Sequence, residues 1–453
     1  MPHTWRPRTP AVLRRIRETA RSTPQRRNRY VDLLRALAIA LVVLGHWLAV
    51  VVSTDDGIGG RNALGILAWT QPLTWLFQVM PVFFLVGGYA NAASLTSHRD
   101  RGGDALGWVL GRTDRLLRPT TAFLAAVWAV AFAALLLRAS PEVVGLAVWA
   151  AAIPLWFLAA YLSVVVLAPL THRLHRRWGA AVPLVLVGLV LVLDAARLVL
   201  GVPIVGVANY LLVWLTLHQL GYVWRDRWAR PRPLVAAAAA LGGFALLLGL
   251  TVLGPYPISM VTVPGQELGN TSPPTFALLV LGLTQTAVVL LLSRPARRLL
   301  RRPRPWTAVV AVNSVVLTVF LWHMSAAVVT GAALYGTGLL AQWPVGSAAW
   351  LLQRVPWLVS VALVLAVLVV AFGGVEARTA PSGAGGRILA ATPAGTAVRH
   401  AVLAFALTAT LAGLTGISLT GAGQADAFTL AVLGSYAVGA SVLRLTRHRW
   451  CGG

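Results

Sequence analysis

The stretch from Tyr30 to Trp47, YVDLLRALAIALVVLGHW, decides how the rest of the chain is read. Ten consecutive positions, Ala36 to Gly45, carry no polar side chain. With its flanks the run reaches the roughly 20 apolar residues that a bilayer-spanning helix needs. Yet it also holds Asp32, Arg35 and His46, three groups that are costly inside a membrane and that mark a site by default.

The same apolar signature recurs along the chain. Uncharged or nearly uncharged stretches fall at 31–53, 72–95, 119–138, 143–170, 181–200, 203–224, 234–253, 274–293, 306–330, 350–372, 400–420 and 426–444, which predicts twelve helices. Composition agrees: of 453 residues, 58% are hydrophobic and 11% charged, with a mean hydropathy of +0.75. A soluble domain carries about 25% charged residues. An ordinary soluble enzyme, a disordered chain and a fibrous chain are excluded. An all-α, polytopic integral membrane protein is expected.

Charge orients it. The chain has 38 basic and 13 acidic residues, net +25, and every basic residue is Arg. With the N-terminus inside, 33 arginines fall on inside segments and four on the other side, Arg61, Arg138, Arg197 and Arg354. The positive-inside rule therefore puts both termini in the cytoplasm and accounts for the net charge without nucleic acid. The Arg-rich start is read as the cytoplasmic flank of the first helix, not a signal peptide. Cys451 is the only cysteine, so no disulfide and no cysteine-based metal centre is expected. The expected organisation is an Arg-rich segment 1–30, a ten-helix membrane unit 31–372, a Gly/Ala/Pro-rich cytoplasmic linker 373–399, two further helices 400–444 and a cytoplasmic tail 445–453.

In the first helix, Arg35 and His46 are eleven residues apart. That spacing is nearly three turns, so they share a face and stand about 16 Å apart along the axis. Asp32, three residues before Arg35, is placed to pair with it. Asp194 and His323 are further intramembrane groups at the outer half of their spans, each a site residue or a structural partner. His218 reads as structural, and His172 and His175 as part of a solvated inside loop. The inside loop 102–119 carries Arg112, Arg115 and Arg118 at three-residue spacing, which suits phosphate groups or plain inside charge. The outside loop 254–273 is long and nearly uncharged, with Gln266, Glu267 and Asn270 placed to touch a polar acceptor. Asn270-Thr-Ser matches a glycosylation sequon by chance.

Together these residues resemble the acyltransferase 3 family of integral membrane acyltransferases. The first helix has its D-x-x-R start and R-x10-H motif as Asp32, Arg35 and His46. FFLVGGY, with Phe83, Phe84, Gly87, Gly88 and Tyr89, is similar to its F-F-x-x-S-G-F/Y, with Gly87 where Ser is usual. Its R-x-x-R falls on Arg112 and Arg115, or in a second register on Arg115 and Arg118. LWFLAAYL at 155–162 and FLWHM at 320–324 are familiar there too. The resemblance covers about residues 30–372 and implies transfer of an acyl group, commonly acetyl, from cytoplasmic acyl-CoA as co-substrate. The acceptor would be a hydroxyl of a cell-envelope carbohydrate, lipid or secondary metabolite. No permanently bound cofactor and no metal is implied. His46, Arg35 and Asp32 become the catalytic candidates and Arg112, Arg115 and Arg118 the donor-binding ones. Tyr89, Asp194, Gln266, Glu267, Asn270 and His323 become the acceptor-binding candidates. An imidazole titrates near neutrality, so His46 suits taking a proton from an attacking hydroxyl.

Two rivals stand beside this reading. A secondary transporter shares the twelve-helix count, but such proteins show two related six-helix halves, whereas these spans divide as ten plus two. A non-catalytic scaffold leaves the polar face of the first helix unexplained.

Overall fold

The computed structural model describes residues 17–24, 27–53, 59–228, 232–377, 393–419 and 427–450. Cys451, residues 1–16 and most of the expected linker lie outside them. Fourteen helices form the frame: α1 (Arg29–Ala49), α2 (Met80–Asp100), α3 (Ala105–Leu136), α4 (Pro141–Ala152), α5 (Leu155–Trp178), α6 (Ala181–Val199), α7 (Asn209–Asp226), α8 (Pro233–Leu248), α9 (Phe276–Leu299), α10 (Pro303–Asn313), α11 (Val316–Gly336), α12 (Ala348–Ala377), α13 (Pro393–Leu419) and α14 (Ala427–Trp450). Eleven helical stretches among the described residues are long and apolar enough to cross a membrane. The chain is an all-α polytopic membrane protein, and α14 lies where the twelfth span was expected.

The starts of several of these helices are written in capping side chains. Asn28 accepts from the Tyr30 N–H before α1, Asp104 from Gly107 before α3, and Thr275 from Leu278 before α9. Each satisfies a donor that the first turn leaves open.

Several boundaries differ from the sequence expectation. The loop 102–119 is helical from Ala105 on, continuous with the span that follows it. The expected span 143–170 is two helices, parted at Ile153 and Pro154. The expected span 306–330 is also two, α10 and α11. Glu376 of α12 caps the second: its carboxylate accepts from Leu317 N at 3.1 Å, Thr318 N at 2.7 Å and Thr318 Oγ1 at 2.7 Å. The expected linker shortens because α12 runs to Ala377 and α13 begins at Pro393.

Helix packing relies on small residues where backbones meet. A β-carbon on Gly88 of α2 would collide with the His218 carbonyl of α7, and one on Gly221 of α7 with the Leu85 carbonyl of α2. Around this crossing Phe84 stacks on Trp214, with centroids 4.7 Å apart. Trp214, Trp224, Tyr222 and Phe84 are among the largest fully buried side chains.

The arginine-rich segments meet at one end of the bundle. There Arg29 donates to the Leu300 carbonyl, Arg225 to Thr96, and His175 pairs with Asp226. The other end holds a two-stranded antiparallel hairpin, β1 (Val50–Ser53) with β2 (Gly59–Asn62), Val50 opposite Asn62. There the loop 254–275 is bolted to the segment before α2. Trp75 donates to the Ile258 carbonyl and Gln78 to the Met260 carbonyl, while Met260 N donates to Thr74. That segment adjoins α1, where Phe77 packs beside Gly45.

Candidate active site

His46 sits in the last turn of α1. Its half-buried ring lies 5.0 Å from that of His323 in α11, tilted by 34°, and His46 Nδ1 is 3.0 Å from His323 Nε2. His323 is fully buried, and its Nδ1 lies 2.6 Å from the Phe320 carbonyl oxygen. The neighbouring backbone is clamped as well. Trp47 Nε1 donates to the His323 carbonyl at 2.9 Å, and Trp357 Nε1 to the Trp47 carbonyl at 3.0 Å. Arg354, stacked on Trp350, donates to the Val50 carbonyl at 2.8 Å. Three helices, α1, α11 and α12, thus fix one imidazole. Two polar residues that were flagged separately in the sequence form one pair.

At the far end of α1, Asp32 is almost fully buried. Its carboxylate accepts two bonds from Arg27, at 2.7 and 3.0 Å, and one from Arg35 at 3.4 Å. Its main-chain carbonyl accepts from Asn313. Hydrogen bonding to Asp32 raises the already high pKa of Arg27. Asp32 also lines a cavity of about 140 Å³ with Thr19, Thr23, Trp306 and Asn313.

Arg35 faces the arginines of α3. The Arg112 guanidinium lies over the Trp108 ring, 5.5 Å from its centroid, and within electrostatic range of Arg115, Arg35 and the Tyr161 phenol. Neither Arg112 nor Arg115 is ion-paired with a carboxylate among the described residues. Arg118 is: its Nε lies 2.8 Å from Asp114 Oδ2, which Arg447 of α14 also engages. Of the two R-x-x-R registers, Arg112 and Arg115 are therefore the pair left open. Three guanidiniums with one buried carboxylate among them make a strongly anion-seeking surface.

The remaining candidates separate. Tyr89 lies at the arginine-rich end, where its hydroxyl accepts from Asn28 at 3.1 Å; it is not beside His46. Asp194 is fully buried and accepts from the Tyr256 hydroxyl at 2.8 Å and the Phe276 N–H at 2.7 Å, with Arg197 3.6 Å away. Burial, reinforced by this carboxylate, raises the Tyr256 pKa, so the phenol stays a donor. Asn270, also fully buried, donates to the Pro257 and Ser259 carbonyls and accepts from Thr275. Both residues hold the loop in shape, Asp194 through Oδ2. Gln266 and Glu267 lie exposed on that loop.

Two features escaped the sequence. Tyr161, inside LWFLAAYL, fills the space that a side chain at Gly87 would occupy, 2.9 Å from the site of a β-carbon there. A hydroxyl-bearing residue beside Arg112 is thus present on α5 and not at position 87. The motif letters carried that signal, but the facing of helices did not show in them. Further in, His172 and His175 are buried helical residues, not a solvated loop. With His218 they surround the Tyr222 ring at centroid distances of 5.3, 5.5 and 4.9 Å. His218 lies 3.1 Å from Asn91. No group of three or more His, Cys, Asp or Glu among the described residues is placed to hold a metal ion.

A family model described as an acyltransferase domain, Acyl_transf_3, matches residues 28–375. Neither a curated protein nor a solved structure matches the chain. The matched region begins at the cap of α1 and ends one residue before Glu376, so it contains both His46 and His323 and both arginines left open on α3.

Proposed function

Because the chain belongs to the acyltransferase 3 family, and is therefore a multi-pass membrane acyltransferase, we propose that acyl-CoA is its donor and a hydroxyl its acceptor. The acyl group is acetyl in the simplest case. The acceptor is a cell-envelope carbohydrate, a lipid or a secondary metabolite. The protein works in the cell membrane, with the arginine-rich end and both termini in the cytoplasm, as the 33-to-4 arginine distribution favours.

The observation that carries this reading is the division of labour along α1. At one end Arg35 stands with Arg112 and Arg115 in a cationic cluster. About 16 Å further along the axis, His46 offers a ring whose Nε2 makes no hydrogen bond within the described residues and is not buried. The cluster holds the phosphates of acyl-CoA, and the pantetheine arm carries the thioester towards His46. His46 Nε2 takes the proton of the acceptor hydroxyl as its oxygen bonds to the thioester carbonyl carbon. The tetrahedral intermediate then collapses: the C–S bond breaks, the CoA thiolate leaves, and the proton on Nε2 passes to it.

The test is direct. Purified protein in lipid nanodiscs, given acetyl-CoA and extracts of envelope glycans and lipids, should release free CoA thiol. The acceptor should gain the mass of one acetyl group. A protein that releases no thiol with any acyl-CoA, and instead moves a solute across liposomes, would replace this reading with the transporter.

A further inference from the structure

The contacts of His323 leave little freedom to the proton on His46. His323 Nδ1 faces the Phe320 carbonyl oxygen at 2.6 Å. A carbonyl only accepts, so His323 Nδ1 carries a proton. In a neutral ring the other nitrogen is then an acceptor, and His323 Nε2 presents its lone pair to His46 Nδ1 at 3.0 Å. His46 Nδ1 must donate. The lone pair of His46 is left on Nε2, the nitrogen that has no partner among the described residues and is not buried.

We infer that His323 is a positioning residue: it sets the tautomer and ring orientation of His46, and so makes Nε2 the atom that accepts the acceptor's proton. The inference rests on the reading of His46 as the base. It moves His323 from the acceptor's surroundings to the support of the catalytic ring. When Nε2 takes the proton, the Nδ1–H bond to His323 stays in place, so the imidazolium forms without reorientation. His323 also fixes the residue next to His46, since its carbonyl accepts from Trp47 Nε1. One residue of α11 therefore holds both the ring and the backbone that carries it.

Two variants of the full chain in nanodiscs test this. His323→Gln keeps an oxygen that accepts from His46 Nδ1, whereas His323→Leu has similar bulk and accepts nothing. His323→Leu should lower kcat tenfold or more with KM for acetyl-CoA unchanged, and His323→Gln should recover most of the loss. Nitrogen-15 spectra of histidine-labelled protein read the tautomer itself, with the His46 signal identified by its absence in His46→Ala. Wild type and His323→Gln should show His46 protonated at Nδ1 and bare at Nε2, and His323→Leu a mixture. Unchanged kcat in His323→Leu, equal losses in both variants, or a wild-type His46 protonated at Nε2 would overturn the inference. Should the leucine variant fail to fold, the wild-type and glutamine spectra decide it. A wild-type protein inert towards every acyl-CoA would instead refute the acyl-transfer reading, and the spectra would still report the tautomer.

Discussion

Arg447, in the last helix, is ion-paired with Asp114 of α3, a carboxylate that Arg118 also engages. A second bond ties the same helices: the Tyr436 and Thr121 hydroxyls lie 2.9 Å apart. The terminal helices α13 and α14 fall outside the matched family region, yet α14 grips the helix that presents Arg112 and Arg115. A chain ending at Gly385 should insert and bind acetyl-CoA, with a lower Tm in detergent than the full chain. Thermal unfolding followed with and without acetyl-CoA checks this. Total loss of folded protein would make the last two helices part of the core.

Arg112 and Arg115 have no carboxylate partner among the described residues, which leaves their donors available to an anion. A charge-assisted hydrogen bond contributes about 1.5–3 kcal/mol. Changing both arginines to Gln should therefore weaken acetyl-CoA binding by more than tenfold and leave acceptor affinity nearly unchanged. Binding isotherms for the two ligands make the comparison. Unaltered CoA affinity would return these residues to orientation alone.

The crossing of α2 and α7 makes a mechanical prediction. A methyl at Gly88 or Gly221 meets backbone atoms of the facing helix, which cannot rotate away. Overpacking of this kind costs about 1–3 kcal/mol. Gly88→Ala should lower the Tm clearly, whereas Gly242→Ala, with nothing near the added carbon, should not. Equal Tm values would show that the crossing has slack.

Orientation is checked with reporter fusions at Arg304 and Gly265. The arginine bias puts the first in the cytoplasm and the second outside. One compartment for both would break the expected alternation of spans.

Much of this arrangement was legible in the amino-acid sequence, for reasons that differ from residue to residue. The apolar runs give the helices because length and hydropathy are local properties. The split of 306–330 into α10 and α11 was not legible, since its cap, Glu376, lies 59 positions away from Leu317. Arg112 and Arg115 looked like loop charges because a helix that leaves the apolar run loses its hydropathy signal. His46 and His323 were each visible as intramembrane imidazoles. That they face each other needed the packing of α1 on α11, which no periodicity encodes. Asp194 stood out for the same reason as His46, its cost in an apolar setting, and Asn270 as a polar group on a long outside loop. The fold shows them holding the loop.

The central claim is that His46 is the base of an acyl transfer. Replacing a positioned base costs a factor of about 10² to 10⁴ in rate. The decisive measurement is acetyl transfer by purified His46→Ala alongside its Tm shift with acetyl-CoA. The account predicts a folded variant that acetyl-CoA still stabilises, with transfer reduced by that factor. A folded, CoA-binding His46→Ala protein that transfers acetyl groups at the wild-type rate would contradict it.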